Sequence, residues 1–561
     1  MWKKVSVPVL LAAAALAFHL FAGFSFIRSA AATYDETVHL ASGYSYLRTG
    51  RYVMNIMDHP PLSEMLSALP TLALKPQAFT GHPYFANFMP YHYGDLFLYH
   101  NSVPAERLLN TARGFTFLVW TALFAGLLWL FASRLESRAA GAFALCAFAG
   151  MPVFISNDAL VTTDAAAAAF YFASFALGWL FTAAPAGGKG GARPWLLAAL
   201  AGGAAGLALV SKFSMFIVPP MVAAFWLADN YFWPRRKTGE LLGYLLIYAA
   251  ACLLTVALVY KFDLGLYWAG LSATLGRLDA GRSSFALGRH SLTGVWWYFP
   301  SALLLKTPLL VLLAAGAGAW GLLRKFRRDH LWLLLPPVLF FAASLTAKVQ
   351  IGYRHILPVM PFLAALAGVA LARVYASSRR GAWLACALAA LIPVSALTAH
   401  PHYLAYFNQL SGGPSNGYKY FVDSNLDWGQ GVKQVAAYLE SRGNPPLVFS
   451  YFGVARPEAY GINYTPLGLV SNADLRGTGA QVCGMKEVLL AVSATNLQGT
   501  YYPDKKSFDW LKGREPAFTA GYSIFVYDLT RDAEGLERLA GLFDREGRNA
   551  EADCLYARAG K

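Results

Sequence analysis

Eleven uncharged apolar stretches constrain this chain more than any other feature. They run Val5 to Ile27, Gly114 to Ser133, Ala139 to Ser156, Ala165 to Ala184, Trp195 to Ser211, Phe213 to Ala228, Leu241 to Tyr260, Thr307 to Leu323, Leu331 to Ala347, Ile356 to Ala372 and Gly381 to Thr398. About 20 apolar residues cross a hydrocarbon core as a helix, since only a helix or a closed barrel satisfies its backbone there. Only 14% of the 561 residues are charged, against about 25% in soluble domains, and the mean hydropathy is +0.41. A soluble globular enzyme, a disordered chain and a fibre are excluded. The expected fold is an all-α polytopic membrane protein with about eleven spans and a C-terminal extracytoplasmic α/β domain.

Charge placement orients the spans. The formal net charge is +15, which in a soluble protein would point to nucleic acid. Here the cations fall in alternate short loops: Arg134 and Arg138, Lys189 and Arg193, Arg235-Arg236-Lys237, Arg324, Lys325, Arg327 and Arg328, then Arg373, Arg379 and Arg380. That asymmetry marks cytoplasmic loops, so the partner is a lipid bilayer and no nucleic acid is expected. Lys3 and Lys4 before the first span place the N-terminus inside. The transmembrane body is 1–399, with outer loops at 28–113 and 261–295. The region 400–561 is outside, which for a bacterial chain means the periplasmic face of the inner membrane.

That last region changes character. Leu447 to Phe452, Val488 to Val492 and Ser523 to Tyr527 are β-rich runs bounded by Gly, Pro and Asn. Leu536, Leu539, Leu542, Phe543, Leu555 and Tyr556 predict two short amphipathic helices between Ala533 and Ala557. A short glycine tract at 187–191 is the only low-complexity segment. No Cys-x-x-Cys spacing occurs; Cys483 and Cys554 lie outside the apolar runs and either pair or stay free.

Ionisable residues at membrane boundaries are the candidates for chemistry. Tyr34-Asp35-Glu36 follows the first span, then His39 and Asp58-His59-Pro60-Pro61-Leu62. Thr33-x-x-Glu36 also fits a capping box, and Asp58 fits a helix cap ahead of proline. If a helix starts at Thr33, Asp35 and His39 share a face as proton acceptor and orienting neighbour. Asn157-Asp158 and Thr163-Asp164 form a second acidic site on the same outer face, although either Asp can cap a helix. Lys212, Lys306 and Arg354-His355 sit at outer ends of spans, where lysines also snorkel; a guanidinium beside an imidazole suits bidentate phosphate binding. Carboxylates for base chemistry with cations for phosphate describe an enzyme that takes a group from a lipid phosphate. The turn-rich Asp423 to Gln430 stretch reads either as a connector or, through Asp423, Asp427 and Trp428, as part of an acceptor site.

Tyr34-Asp35-Glu36, Asp58-His59-Pro60-Pro61-Leu62, Thr163-Asp164, Lys212 and Gly352-Tyr353-Arg354-His355-x-Leu357-Pro358 resemble the GT-C superfamily of lipid-carrier-dependent glycosyltransferases. The nearest branch is glycosyltransferase family 39, with the protein O-mannosyltransferases and the aminoarabinose transferases that modify lipid A. The resemblance covers about Met1 to Leu410. It implies that Asp35 is the general base, that Glu36 supports the same site, and that Asp164 shapes it or helps hold a divalent metal with Asp35. It also implies that Lys212 and Arg354, with His355 alongside, bind the carrier phosphate. His39, His59 and Asp158 complete the candidate substrate-binding set. The expected reaction is inverting transfer of a sugar from a polyprenyl phosphate to a lipid, glycan or protein hydroxyl. The absence of an inserted β-trefoil weighs against a protein acceptor. The competing classes are a transporter of lipid-linked sugars and a non-catalytic envelope assembly protein; the former would carry polar residues at span centres and paired halves.

Overall fold

The computed structural model describes residues 6–185, 193–468 and 477–561. Lys3, Lys4, Lys189 and the 187–191 glycine tract lie outside the described residues.

Every one of the eleven apolar stretches contains helix. Seven helices among the described residues are long and apolar enough to cross a membrane: α1 (Val7–Ser29), then Ala105–Leu135, Asp164–Ala183, Phe213–Phe232, Thr238–Val259, Tyr353–Ser377 and Arg379–Ala399. Tyr298–Lys306 and Leu309–Arg324 make an eighth if joined across their 112° bend. Pro308 explains that bend, since it pushes Thr307 to an extended ψ of 138° and lacks an N–H. Three of the apolar stretches form shorter or broken helices, for local reasons. The Ala139 to Ser156 stretch breaks at Gly150 into Arg138–Ala149 and Pro152–Asn157. Pro194–Leu209 has 16 residues, and Leu331–Ser344 has 14 with Pro336 and Pro337 inside it.

Asp164–Ala183 and Tyr353–Ser377 are 83% buried and Thr238–Val259 only 17%, so the first two form the centre of the bundle and the third faces lipid. Small residues permit the close helix contacts that replace hydrophobic driving force in lipid. A Cβ on Gly368 would stand 2.4 Å from the Ala140 carbonyl oxygen.

The 28–113 segment folds over the bundle as α2 (Glu36–Thr49), α3 (Pro61–Ala68) and short helices at Pro83–Ala86 and Pro90–Tyr99. In 261–295 a helix, Leu264–Ala280, leads into a two-stranded hairpin, β1 (Ser284–Ala286) and β2 (Arg289–Ser291). After residue 400 the chain runs in turns that are buried at 403–408 and 421–430 and partly exposed between, before the Val432–Glu440 helix. A five-stranded sheet follows from β3 (Leu447–Ser450), β4 (Tyr464–Pro466), β5 (Leu489–Ser493), β6 (Phe518–Ala520) and β7 (Ile524–Asp528), ordered β4-β3-β5-β7-β6. The parallel β4-β3-β5 pairings join antiparallel β7 and β6. Both faces are covered, so β3 and β5 are continuously apolar. Leu447, Phe449 and Val526 pack with Val432, Val435 and Leu439, and Val448, Leu490 and Val492 with Leu536, Leu539 and Phe543 of the Ala533–Arg545 helix. A disulfide joins Cys483 to Cys554 of the final helix, Asn549–Arg558.

Candidate active site

Four charged residues from four separate segments form an alternating line above the bundle. Asp35 precedes α2, and its carboxylate caps no backbone N–H. Its Oδ2 lies 3.2 Å from Arg354 Nη1 instead. The same nitrogen donates to Asp164 Oδ2 at 3.0 Å, and Asp164 Oδ1 accepts from Lys212 Nζ at 2.5 Å. Asp164 opens the Asp164–Ala183 helix, Lys212 precedes Phe213–Ile217, and Arg354 stands in the 3₁₀ turn Tyr353–Val359. The side chains of Asp35 and Lys212 are 23% and 19% exposed and that of Asp164 is 1%. The line is therefore sealed in the middle and open at both ends.

Glu36 faces away from this line. Its Oε1 accepts Arg113 Nε at 2.8 Å and the Val161 N–H at 3.1 Å. Its Oε2 accepts Arg113 Nη2 at 2.5 Å and both the N–H and hydroxyl of Thr33. Burial opposes its charge, but Arg113 and these donors hold the carboxyl below its usual range. Arg113 also donates to the Ala30 and Ala31 carbonyls. With all its acceptor capacity engaged, Glu36 ties the starts of α2 and of the 161–164 loop to the Ala105–Leu135 helix. Among these bonds is the Thr33 N–H that the Thr33-x-x-Glu36 capping-box spacing places on Glu36.

His39 pairs with Glu64, not with Asp35. Its Nδ1 is 2.8 Å from Glu64 Oε1, which also accepts from Asn55 at 2.6 Å. Burial lowers the His39 imidazole, and Glu64 more than offsets this and raises it; burial likewise raises the Glu64 carboxyl. The His59 ring meets His39 edge-on at 4.8 Å; burial and the neighbouring His39 and Lys212 charges push it well down, so it is neutral. His355 follows Arg354, its ring stacked on Phe299 at 6.4 Å.

Asp158 is fully buried, and neither carboxylate oxygen has a partner among the described residues. Burial pushes its carboxyl well above the usual range. No hydrogen bond or ion pair joins it to the Arg354 line among the described residues. Asp58 does not cap α3, whose cap position is Pro60; it pairs with half-exposed Arg277 at 2.9 Å. Lys306 is spent on the Leu404, Tyr406 and Asn425 carbonyls and pins the post-400 segment to the bend at Thr307.

The Asp423 to Gln430 stretch is buried against the site. Ser424 Oγ accepts Arg354 Nε at 3.1 Å, and the Arg354 guanidinium lies 4.0 Å over Trp428. Asp423 accepts from the Tyr501 hydroxyl, and Arg282 Nε donates to that hydroxyl at 3.1 Å. Tyr34, Phe452 and Tyr501 stack in a row at successive centroid distances of 5.6 Å, with Tyr91 edge-on to Tyr34. An aromatic wall from two distant regions of the chain thus flanks Asp35. Arg113, Arg282, Ser424, Phe452 and Tyr501 were not among the sequence candidates. Arg113 lies at the outer mouth of a span, and Ser424 lies within the turn-rich Asp423 to Gln430 stretch; the other three carried no such signal.

The residues present do not fit a divalent metal at Asp35 and Asp164. Arg354 Nη1 stands between the two carboxylates and Lys212 takes the remaining Asp164 oxygen, so cationic side chains fill the position an ion would need. No group of three His, Cys, Asp or Glu that could hold a metal occurs among the described residues.

No family model and no curated relative matches the sequence. Similar solved structures include ArnT from Cupriavidus metallidurans bound to undecaprenyl phosphate, at 14% identity and a TM-score of 0.48, covering 93% of this chain and 98% of that one. The Archaeoglobus fulgidus oligosaccharyltransferase in its apo form is similar at 11% identity and a TM-score of 0.46, over 87% and 70%. The S. cerevisiae protein O-mannosyltransferase complex bound to its sugar donor is similar at 15% and 0.30, over 51% and 39%.

Proposed function

We propose that this chain is a glycosyltransferase that moves one sugar from a polyprenyl-phosphate carrier to an acceptor hydroxyl at the outer membrane face, with inversion. The observation that carries the reading is the contact of Asp35 and Asp164 with one Arg354 nitrogen, with Lys212 beside them. Asp35, the accessible carboxylate, takes the acceptor's proton as that oxygen attacks the anomeric carbon from the face opposite the phosphate. The bond from that carbon to the phosphate oxygen breaks, and its electron pair leaves with the phosphate. Arg354 and Lys212 stabilise the charge that develops there. Asp164 holds both cations in place before the carrier arrives. Such preorganisation accelerates transfer because no solvent reorganisation is needed when the charge moves.

Two features support an extracytoplasmic site in a bacterial inner membrane. Cation-rich loops lie on the opposite side of the spans, and the Cys483–Cys554 disulfide suits an oxidising compartment. The site draws on 28–113, on span ends and on 423–430, so the body at 1–399 and the domain at 400–561 act as one unit.

The test uses purified protein in detergent with a synthetic polyprenyl-phosphate sugar, following release of the carrier phosphate. Asp35→Asn is expected to lower release by about 10²- to 10⁴-fold while the protein stays folded. Normal turnover by that variant removes Asp35 as the base. Wild-type protein that releases no carrier phosphate but moves the lipid across proteoliposomes is a transporter.

A further inference from the structure

We propose that Ser424 and Trp428 are positioning residues that fix the plane of the Arg354 guanidinium and so decide how it meets the carrier phosphate; this rests on the carrier-phosphate reading of Arg354. A guanidinium offers five donors in a rigid plane, so its orientation determines which edge a ligand can use. Nη1 is committed to Asp35 and Asp164 and Nε to Ser424 Oγ, while Trp428 covers one face at 4.0 Å. Nη2 has no partner among the described residues and remains for a phosphate oxygen.

The clamp is itself constrained. Ser424 donates its hydroxyl to the Ile351 carbonyl at 2.8 Å, which turns its lone pairs toward Nε. Asn425 Oδ1 accepts the Tyr353 N–H at 2.8 Å, one residue before Arg354. The Trp428 carbonyl accepts the Tyr34 N–H at 3.0 Å, one residue before Asp35. One stretch of five residues therefore fixes the backbone next to both the base and the phosphate ligand. Gly352 permits the approach, since a Cβ there would stand 2.1 Å from Ser424 Oγ. A mere connector has no reason to close on the arginine from two directions, through a hydrogen bond to Nε and a ring against its face.

The test is a double-mutant cycle read as affinity for farnesyl phosphate, measured by calorimetry on the full chain in detergent. Ser424→Ala and Trp428→Leu are each expected to weaken binding about tenfold, with Trp428→Phe restoring most of the loss because it keeps a ring face. In an Arg354→Gln background the same substitutions are expected to change affinity less than about twofold. An unchanged affinity in Ser424→Ala and Trp428→Leu overturns the proposal, as does an equal loss with and without Arg354. If Trp428→Leu does not fold, the Ser424→Ala cycle decides alone. No binding of farnesyl phosphate to the wild-type chain overturns the carrier-phosphate reading and this inference with it, whereas binding that ignores the clamp overturns only the clamp.

Discussion

Replacing Glu36 with Gln separates a structural carboxylate from a catalytic one. Glu36 and Arg113 are fully buried, and the carboxylate accepts five hydrogen bonds, two of them from the guanidinium. The substitution keeps the shape and removes the charge. It also sets an amide N–H₂ against an Arg113 N–H in either orientation, together with the Val161 N–H in one and the Thr33 donors in the other. Breaking a buried pair by removing one partner costs about 3–5 kcal/mol, because the other charge stays buried without compensation. Set against total stabilities of about 5–15 kcal/mol, this should lower the melting temperature in detergent by on the order of 5–10 °C. The assay is size-exclusion chromatography of heated, detergent-solubilised protein, combined with turnover per folded molecule. Carrier-phosphate release per folded molecule is expected to stay within about tenfold of wild type. A Glu36→Leu, Arg113→Met pair should recover part of the lost stability, since apolar isosteres often match a buried ion pair; the recovery is incomplete because the Ala30 and Ala31 carbonyls lose their donor. The reasoning is refuted by an Glu36→Gln variant that melts like wild type and transfers no sugar, because Glu36 would then be a reagent.

Two further outcomes follow from the electrostatics. Burial raises the Asp427 carboxyl to about 7 from an ordinary 3.8, so between those values the folded chain keeps a proton that the unfolded chain releases. Stability is therefore expected to fall as pH rises from about 4 to 7, by at most about 4 kcal/mol, and Asp427→Asn should flatten that dependence; melting curves with equal slopes in both proteins would contradict it. Because Arg354 and Lys212 occupy the carboxylate oxygens of Asp35 and Asp164, prolonged chelation with EDTA is expected to leave carrier-phosphate release unchanged. A loss of activity that added Mg²⁺ or Mn²⁺ restores would count against that filling of the site.

Much of the fold was legible because its determinants are local. An uncharged run long enough to cross lipid declares itself without reference to the rest of the chain, and β-branched runs between Gly, Pro and Asn marked β3, β5 and β7 in the same way. Where an apolar stretch does not form one long helix the cause is also local: the Ala139 to Ser156 stretch breaks at Gly150, although its composition alone looks continuous. Asp35, Asp164, Lys212 and Arg354 stood out because charge at the edge of an apolar span is costly and so needs a reason.

What composition cannot convey is which charge meets which. Asp35 and Glu36 are neighbours in sequence, yet one faces Arg354 and the other Arg113, and the difference is set by a helix that returns 77 residues later. The same limit hid the post-400 segment. Asp423 to Gln430 has the composition of a surface turn, and in the absence of its partners that is the cheapest reading. Folded against the bundle, its polar groups acquire the Tyr353 and Tyr34 backbone and the Arg354 side chain as partners. A buried turn is tolerable when most of its polar groups are paired in this way, and here Asp427 Oδ1 is left without a partner among the described residues. Burial of so polar a stretch beside a charged line is the observation on which the proposed Arg354 clamp rests, even though every residue in it taken singly suggests a loop.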